Sequence, residues 1–283
     1  MSILSQFEST VYQKDEARTS YRKRLEIENA KTQEIMIAVA HKLNRNGGYI
    51  LINKLETTSL FSRVNLKGKR VLEVGCGMLP ATMAIPLHEM PRLYVASDVD
   101  LRMVSEARRH DGHPQFIVLN SLDLAIKPAS MDYIVLNGVL HHLPPECHLL
   151  EALQKLLAPG GGILMIEPNV SCGPAKLMKW VLKRLFHISF EASPYGQLSR
   201  RTIANLAAQA KLSIKEEWFA SLLAFPLSGA HGRCKITPDS RWLFQILVAV
   251  DVVLSRWLHL SPPLARFLHW RVLYLLEHDR KSI

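Results

Sequence analysis

The chain has 283 residues, 48% of them hydrophobic and 21% charged, which is ample for a packed core and excludes disorder, collagen and low complexity. Basic residues outnumber acidic ones by 35 to 25, a net charge of +10 that suits nucleic acid, a membrane surface or an anionic substrate as partner. Cys76, Cys147, Cys172 and Cys234 are too few and too scattered for a disulfide framework. No CxxC or Cys/His cluster suggests a metal, and the first residues lack the basic-then-apolar pattern of a secretory leader. A reduced, cytoplasmic compartment is the expectation.

In chain order, residues 10–46 begin highly charged and then carry Ile35, Met36, Val39 and Leu43 at helical spacing, with Asn46-Gly47-Gly48 as a stop. A second short helix is expected over about 49–60, and together these helices form an N-terminal cap, residues 1–66. From residue 70 short apolar runs alternate with helical patterns. Strands are expected at 70–74, 93–98, 115–119, 133–136 and 163–166, with helices at 101–109 and 147–157, the latter stopped by Pro159-Gly160-Gly161-Gly162. This rhythm predicts βαβ units and a parallel, doubly wound sheet.

A helix over 175–188 follows, with Lys176, Lys179, Lys183 and His187 on one face and Met178, Val181, Leu185 and Ile188 on another. Ser199 caps a helix to Ala210, and 212–219 reads as a sixth strand. The most apolar run, Trp242 to Leu258, is interrupted by Gln245, Asp251 and Arg256 and is a poor membrane span. Ser261-Pro262-Pro263 breaks the chain, and Trp270 to Glu277 reads as a final strand. A core is thus expected over 67–219, with a helical insertion and last strand over 220–283. Charge follows the same division: residues 1–170 hold 19 basic and 18 acidic residues, whereas residues 171–283 hold 16 and 7.

The strongest local motif is Glu73-Val74-Gly75-Cys76-Gly77-Met78-Leu79-Pro80. A glycine turn at a strand's end that opens a helix lets backbone approach a ligand without a Cβ in the way. The dinucleotide fingerprint wants a third glycine where Pro80 stands, so a nucleoside lacking a pyrophosphate fits better than NAD. Asp98, 21 residues beyond Gly77 at the end of the second strand, suits a ribose diol. Asp100 could do the same or cap the next helix. Asn120 and Ser121 follow strand three, and strand four ends in Asn137-Gly138-Val139-Leu140-His141-His142-Leu143-Pro144.

Together EVGCG, the SDVD acid, the Asp132-Tyr133 strand, NGVLHHLPP and LLAPGGGILMIEP resemble the class I S-adenosylmethionine-dependent methyltransferases over about residues 68–170. The resemblance implies an α/β, Rossmann-like seven-stranded sheet of order 3-2-1-4-5-7-6 with the last strand antiparallel, N-terminal helices and a helical insertion before that strand. It implies S-adenosyl-L-methionine as cofactor, with Glu73, Gly75 and Gly77 around the methionine moiety and Asp98 on the ribose. Asn120 and Ser121 would meet the adenine, and Asn137 the methionine amino group or the transferred methyl. Asn120 departs from the aspartate many relatives carry, but its carbonyl still accepts a hydrogen bond.

A sulfonium methyl is already electrophilic, so positioning the acceptor in line carries most of the chemistry. A base is needed only for a hydroxyl or an acidic carbon, and His142, ahead of His141, is the candidate, with packing or loop shape as the alternative role. No Asn-Pro-Pro-Tyr tetrapeptide and no Pro-Cys nucleophile is present, and no basic segment is interleaved with aromatics. Nucleic acid therefore recedes. A small or lipid-type acceptor is expected, apolar or amphiphilic, with an anionic or lipid-linked group in keeping with the charge. Segments 175–188 and 241–258 are candidates for peripheral membrane contact. The alternative is a non-catalytic module of the same fold that binds a membrane or partner through its basic C-terminal third.

Overall fold

Short apolar runs, too short for helices, become the strands of a parallel sheet: those at 70–74 and 93–98 are buried almost throughout, whereas that at 115–118, at the sheet edge, is largely exposed. The computed structural model of the chain describes residues 48–121, 123–143, 147–187, 198–227 and 241–279. The chain's contacts divide it into two units, Met1–Asn46 and Gly47–Ile283. The helix expected within 10–46 lies outside the described residues, as do Cys234 and the ends of the C-terminal segments.

Seven strands form one sheet: β1 (Arg70–Val74), β2 (Leu93–Asp98), β3 (Gln115–Val118), β4 (Met131–Asn137), β5 (Leu157–Pro168), β6 (Leu212–Ala220) and β7 (Arg271–His278). Their order is β3-β2-β1-β4-β5-β7-β6. The first five are parallel, and β7 inserts antiparallel to both β5 and β6. This is the architecture that the resemblance implies. Arg70 of β1 donates through its backbone N, Nε and Nη2 to the Asp132 carboxylate (2.8, 3.1 and 2.9 Å), fixing the start of β1 against β4.

Helices α1 (Gly48–Phe61), α2 (Leu101–His110), α3 (Leu149–Gln154), α4 (Gly173–Phe186), α5 (Arg200–Gln209), α6 (Ala224–Leu227), α7 (Arg241–Leu258) and α8 (Pro262–Leu268) accompany the sheet. One core cluster joins Val71, Ala96, Val135, Leu164, Ile166 and Leu273 of the strands to Leu60 of α1. A second joins Ile52, Cys172, Ala224, Phe225, Phe244 and Trp270 beneath α4 and α7. Ser199 caps α5, its Oγ accepting from the Thr202 N–H at 3.1 Å. Among the described residues no helix is long and apolar enough to cross a membrane.

Four local expectations change. The glycine turn opens no α-helix: Pro80 precedes a single 3-10 turn, Ala81–Ala84, and a second follows at Leu87–Glu89. Pro86 and Pro91 cut this stretch, because proline lacks the N–H a continuing helix needs. The segment Pro159–Gly162 is not a helix stop outside the sheet but part of β5. Register slips there between Met131/Leu157 and Tyr133/Gly162, and a Cβ on Gly161 would lie 2.7 Å from the Asp132 carbonyl oxygen, so only glycine permits the bulge. The preceding helix shortens to Leu149–Gln154, with His148 in a left-handed conformation at φ 52°. Ser261-Pro262-Pro263 starts α8 instead of merely breaking the chain, consistent with proline's fitness for a first helical turn.

Candidate active site

The site lies where β1, β2 and β4 end at the same edge of the sheet, the usual ligand position in an open α/β fold. After Val74 the backbone turns through Gly75 at φ +74° and Gly77 at φ +55°, a region L side chains rarely adopt. The Gly75 and Cys76 N–H groups both donate to the Ser97 carbonyl, at 2.8 and 2.9 Å. A Cβ on Gly75 would come within 2.5 Å of Val139 Cγ2, whereas one on Gly77 would stand in open space. The turn is therefore packed on one side and open on the other.

Asp98, the last residue of β2, faces this turn. Its Oδ2 accepts from the Gly77 N–H and its Oδ1 from the Asp100 N–H, each at 3.0 Å. Burial raises its pKa against the opposing pull of those N–H groups. A carboxylate offers about four lone-pair sites, and the N–H groups of Gly77, Asp100 and Val99 engage this one, so the group can still accept from a diol. Asp100 instead caps α2, accepting from the Arg102 N–H at 2.8 Å. The Asp98 carbonyl accepts from Leu119 N–H at 2.9 Å, which brings the half-buried Asn120 and Ser121 to the same edge.

Glu73 lies beneath the turn and is fully buried. Both its oxygens accept from the Ala81 N–H at 3.1 Å, and Oε2 also accepts from the Tyr94 hydroxyl at 2.9 Å. Burial pushes its pKa up to about 7, against these donors. Its geometry is that of a brace that holds the segment after the glycines.

Asn137 ends β4, and its Nδ2 donates to Asn53 Oδ1 at 3.4 Å, while Asn53 Nδ2 donates to the Leu79 carbonyl at 2.9 Å. Asn53, on α1, was missed in the sequence. The signal was present in Asn53, Glu56 and Thr57, polar residues at i, i+3 and i+4 along one face of this helix. Glu56 and Thr57 are buried, and Glu56 Oε1 accepts from Ser221 Oγ at 2.6 Å.

His141 and His142 follow in a one-turn 3-10 segment, Leu140–His142, their rings 4.0 Å apart. The two differ in their surroundings. His141 is buried with Nδ1 2.7 Å from Glu167 Oε2, and Glu167 Oε1 accepts from the Leu140 N–H at 2.9 Å. With Glu167 Oε2 as the acceptor, Nδ1 is the donor and Nε2 carries the ring's lone pair. Glu167, on β5, is fully buried and was not singled out in the sequence, since a strand glutamate gives no local sign of its partner. His142 has an exposed face, yet the protein packed around it, with His141 and Arg271, lowers its pKa to about 4. It is therefore neutral at pH 7.

The open face over Gly77, the half-buried Asp98 acceptor and the absence of a third glycine at Pro80 fit a nucleoside carrying an amino-acid chain better than a pyrophosphate. Gly75, Gly77, Asp98, Asn120, Ser121 and Asn137 share one edge of the sheet, so the residues chosen from the sequence do converge.

Comparison with known proteins agrees. A family described as "Methyltransferase domain" matches residues 43–216, more than half of the chain. The ubiquinone biosynthesis O-methyltransferase of Xanthomonas campestris pv. campestris (strain B100) is 31% identical over 125 residues, covering 42% of this chain and 51% of that protein. The chain thus spans about half the length of that relative. Among solved structures, the Haloferax volcanii complex between the Trm112 methyltransferase activator and a methyltransferase matches with a TM-score of 0.56 at 17% identity, over 85% of this chain and 96% of that one. Magnesium protoporphyrin IX methyltransferase from Synechocystis PCC 6803 matches with a TM-score of 0.50 at 16% identity, over 82% and 84%. At such identities these structures speak for the fold, while the family match carries the assignment: the chain belongs to the class I, S-adenosylmethionine-dependent methyltransferase family.

Proposed function

We propose that this chain transfers a methyl group from S-adenosylmethionine to a hydroxyl, or an acidic carbon, of a small apolar or amphiphilic acceptor. The observation that carries this reading is the turn through Gly75 and Gly77, open above Gly77 and braced by the Asp98 carboxylate. Asp98 would accept from the ribose hydroxyls, and Asn120 with Ser121 would border the adenine. Gly75 and Gly77 would border the methionine chain, with Asn137 at its amino group and Glu73 supporting from below. The cofactor when bound supplies an electrophilic methyl. The chain's own residues bind it, orient it and accept a proton from the acceptor.

His141 is the candidate base, and its Glu167 contact moves the preference from His142 to His141. A carboxylate on Nδ1 fixes the tautomer and stabilises the imidazolium that forms when Nε2 takes a proton. The nearby neutral His142 adds no charge against it. The likeness to a ubiquinone biosynthesis O-methyltransferase supports an oxygen acceptor over carbon. The basic surplus after residue 170 supports an acceptor with an anionic or lipid-linked group.

The test is incubation of the chain with S-adenosylmethionine carrying a tritiated methyl, together with either the solvent-soluble or the water-soluble extract of cells deleted for the gene. Label should enter an organic-soluble product as an alkali-stable methyl ether or C-methyl group, and His141→Ala should slow its formation by about a hundredfold or more. Label entering neither extract, while the chain binds the cofactor, would overturn the assignment of the acceptor. A chain that binds no cofactor would overturn the enzyme reading itself and favour a module without catalysis.

A further inference from the structure

Three helices, α4, α7 and α8, present apolar side chains outward that no described part of the chain covers. On α7 the exposed residues include Trp242, Ile246, Val250, Val253 and Trp257, spaced so that they fall on one helical face. Trp242 is 61% and Trp257 71% exposed, and at about 1.5 Å per residue they stand roughly 22 Å apart. The opposite face of α7 is used internally: Phe244 enters the core cluster under α4, and Asp251 accepts from the N–H groups of Leu222, Leu223 and Ala224. On α4, Trp180 is 62% exposed between the exposed Lys176, Lys183 and Arg184. Its neighbour Met178 packs inward. Thus α4 turns Lys176, Lys183, Arg184 and a tryptophan outward, while Lys179 is half-buried.

Helix α8 packs against both α4 and α7 and adds exposed Leu264 and Phe267. The Phe267 ring lies against Gly173, the first residue of α4, where a Cβ would come within 2.1 Å of it. Asn169, just after β5, donates through Nδ2 to the carbonyls of Arg266 and His269 at 2.7 and 2.8 Å. The end of α8 is therefore fastened two residues beyond Glu167, at the edge of the candidate site, with α4 and α7 packed against α8. Helix α7 also packs on α1, which carries Asn53.

Charge selects the occupant. The three helices carry seven lysines and arginines against one acid, Asp251, which is buried; of the seven, Arg266 pairs with Glu217 of β6 at 3.0 Å. Exposed cations beside outward tryptophans, on helices too short or too charged to span, form the pattern of an interfacial membrane helix. Such a helix lies in the headgroup plane with its apolar face in the acyl boundary, and nearby Lys and Arg favour anionic lipid. A protein partner of ordinary composition would not call for so one-sided a charge.

We infer that α4, α7 and α8 form a docking surface for an anionic lipid bilayer, holding the candidate site at the membrane interface. This goes beyond methyl transfer and does not depend on it, since vesicle binding is read without cofactor. The experiment is co-flotation of the full chain with phosphatidylcholine vesicles containing or lacking phosphatidylglycerol, with tryptophan emission recorded alongside. Binding to the anionic vesicles should exceed that to neutral ones by about tenfold or more, with a blue shift in emission. It should weaken severalfold between about 0.1 M and about 0.5 M NaCl. The double variant Trp242→Ser/Trp257→Ser and the charge reversal Lys183→Glu/Arg184→Glu should each lose about tenfold in vesicle affinity, while retaining the far-ultraviolet dichroism of the parent. Equal binding to neutral and anionic vesicles would overturn the inference, as would no vesicle binding. So would a stable dimer that Trp242→Ser/Trp257→Ser dissociates, since the face would then be covered by a second copy.

Discussion

The cofactor edge and the helical face handle polar groups in opposite ways. At the edge, Glu73, Asp98, Asn137 and Glu167 are each engaged by a named neighbour at 3.4 Å or less, and the region up to residue 170 is nearly neutral. On the face, cations and tryptophans project outward, and the one acid on α7 is turned inward to hold α6. Internal polar groups demand partners because burial without them is costly. Outward apolar groups demand a partner from elsewhere. The first region therefore reads as preorganised chemistry and the second as an address.

The largest expected effect separates the two regions outright. Asp98→Ala removes the proposed ribose acceptor and a bond to Gly77, so cofactor affinity should drop about a hundredfold or more. Vesicle binding should stay as in the parent. Asp98→Asn should fare little better, because one of its amide hydrogens would face a backbone N–H. Cofactor affinity in the parent should also fall as pH drops through the raised pKa of Asp98, since the protonated acid accepts less well.

Next comes turnover. His141→Ala should lower kcat by about a hundredfold or more with cofactor affinity within a few-fold of the parent, and Glu167→Gln should lower kcat less while moving the pH profile. Loss of cofactor affinity in both, with kcat intact, would mean that the pair only shapes the loop.

Stability offers a smaller, pH-dependent effect. The Glu73 pKa is raised from its ordinary 4.5 to about 7, so the folded state prefers it protonated. The contribution of Glu73 to stability is thus greatest below about 4.5 and declines as pH rises through about 7, by on the order of 3 kcal/mol once fully ionised. Glu73→Gln, an uncharged isostere, should remove that decline, and its unfolding temperature relative to the parent should rise between pH 5 and pH 8. Parallel profiles would contradict this. The smallest effect is expected on the face: Trp242→Ser/Trp257→Ser should change unfolding stability by only about 0.5 kcal/mol, because both rings are exposed.

Much of the edge was legible because its constraints are local. Two glycines that must turn with positive φ, an acid 21 residues on and strands of the right length all leave marks in the chain. What was not legible is pairwise. Nothing near Glu167 announces His141, 26 residues away, and Asn53 meets Asn137 across 84 residues. Local context likewise overestimated the helix after Gly77, because prolines further along decide where it stops. The apolar run 242–258 showed its composition but not which residues face out, which depends on where Asp251 and Phe244 find partners.

The central claim, that the turn at Gly75 and Gly77 with Asp98 is a S-adenosylmethionine site, is tested most directly by calorimetric titration of the full chain with S-adenosylhomocysteine. Saturable one-site binding in the parent and its near-complete loss in Asp98→Ala are expected. No heat in the folded parent, or equal affinity in the two proteins, would contradict it.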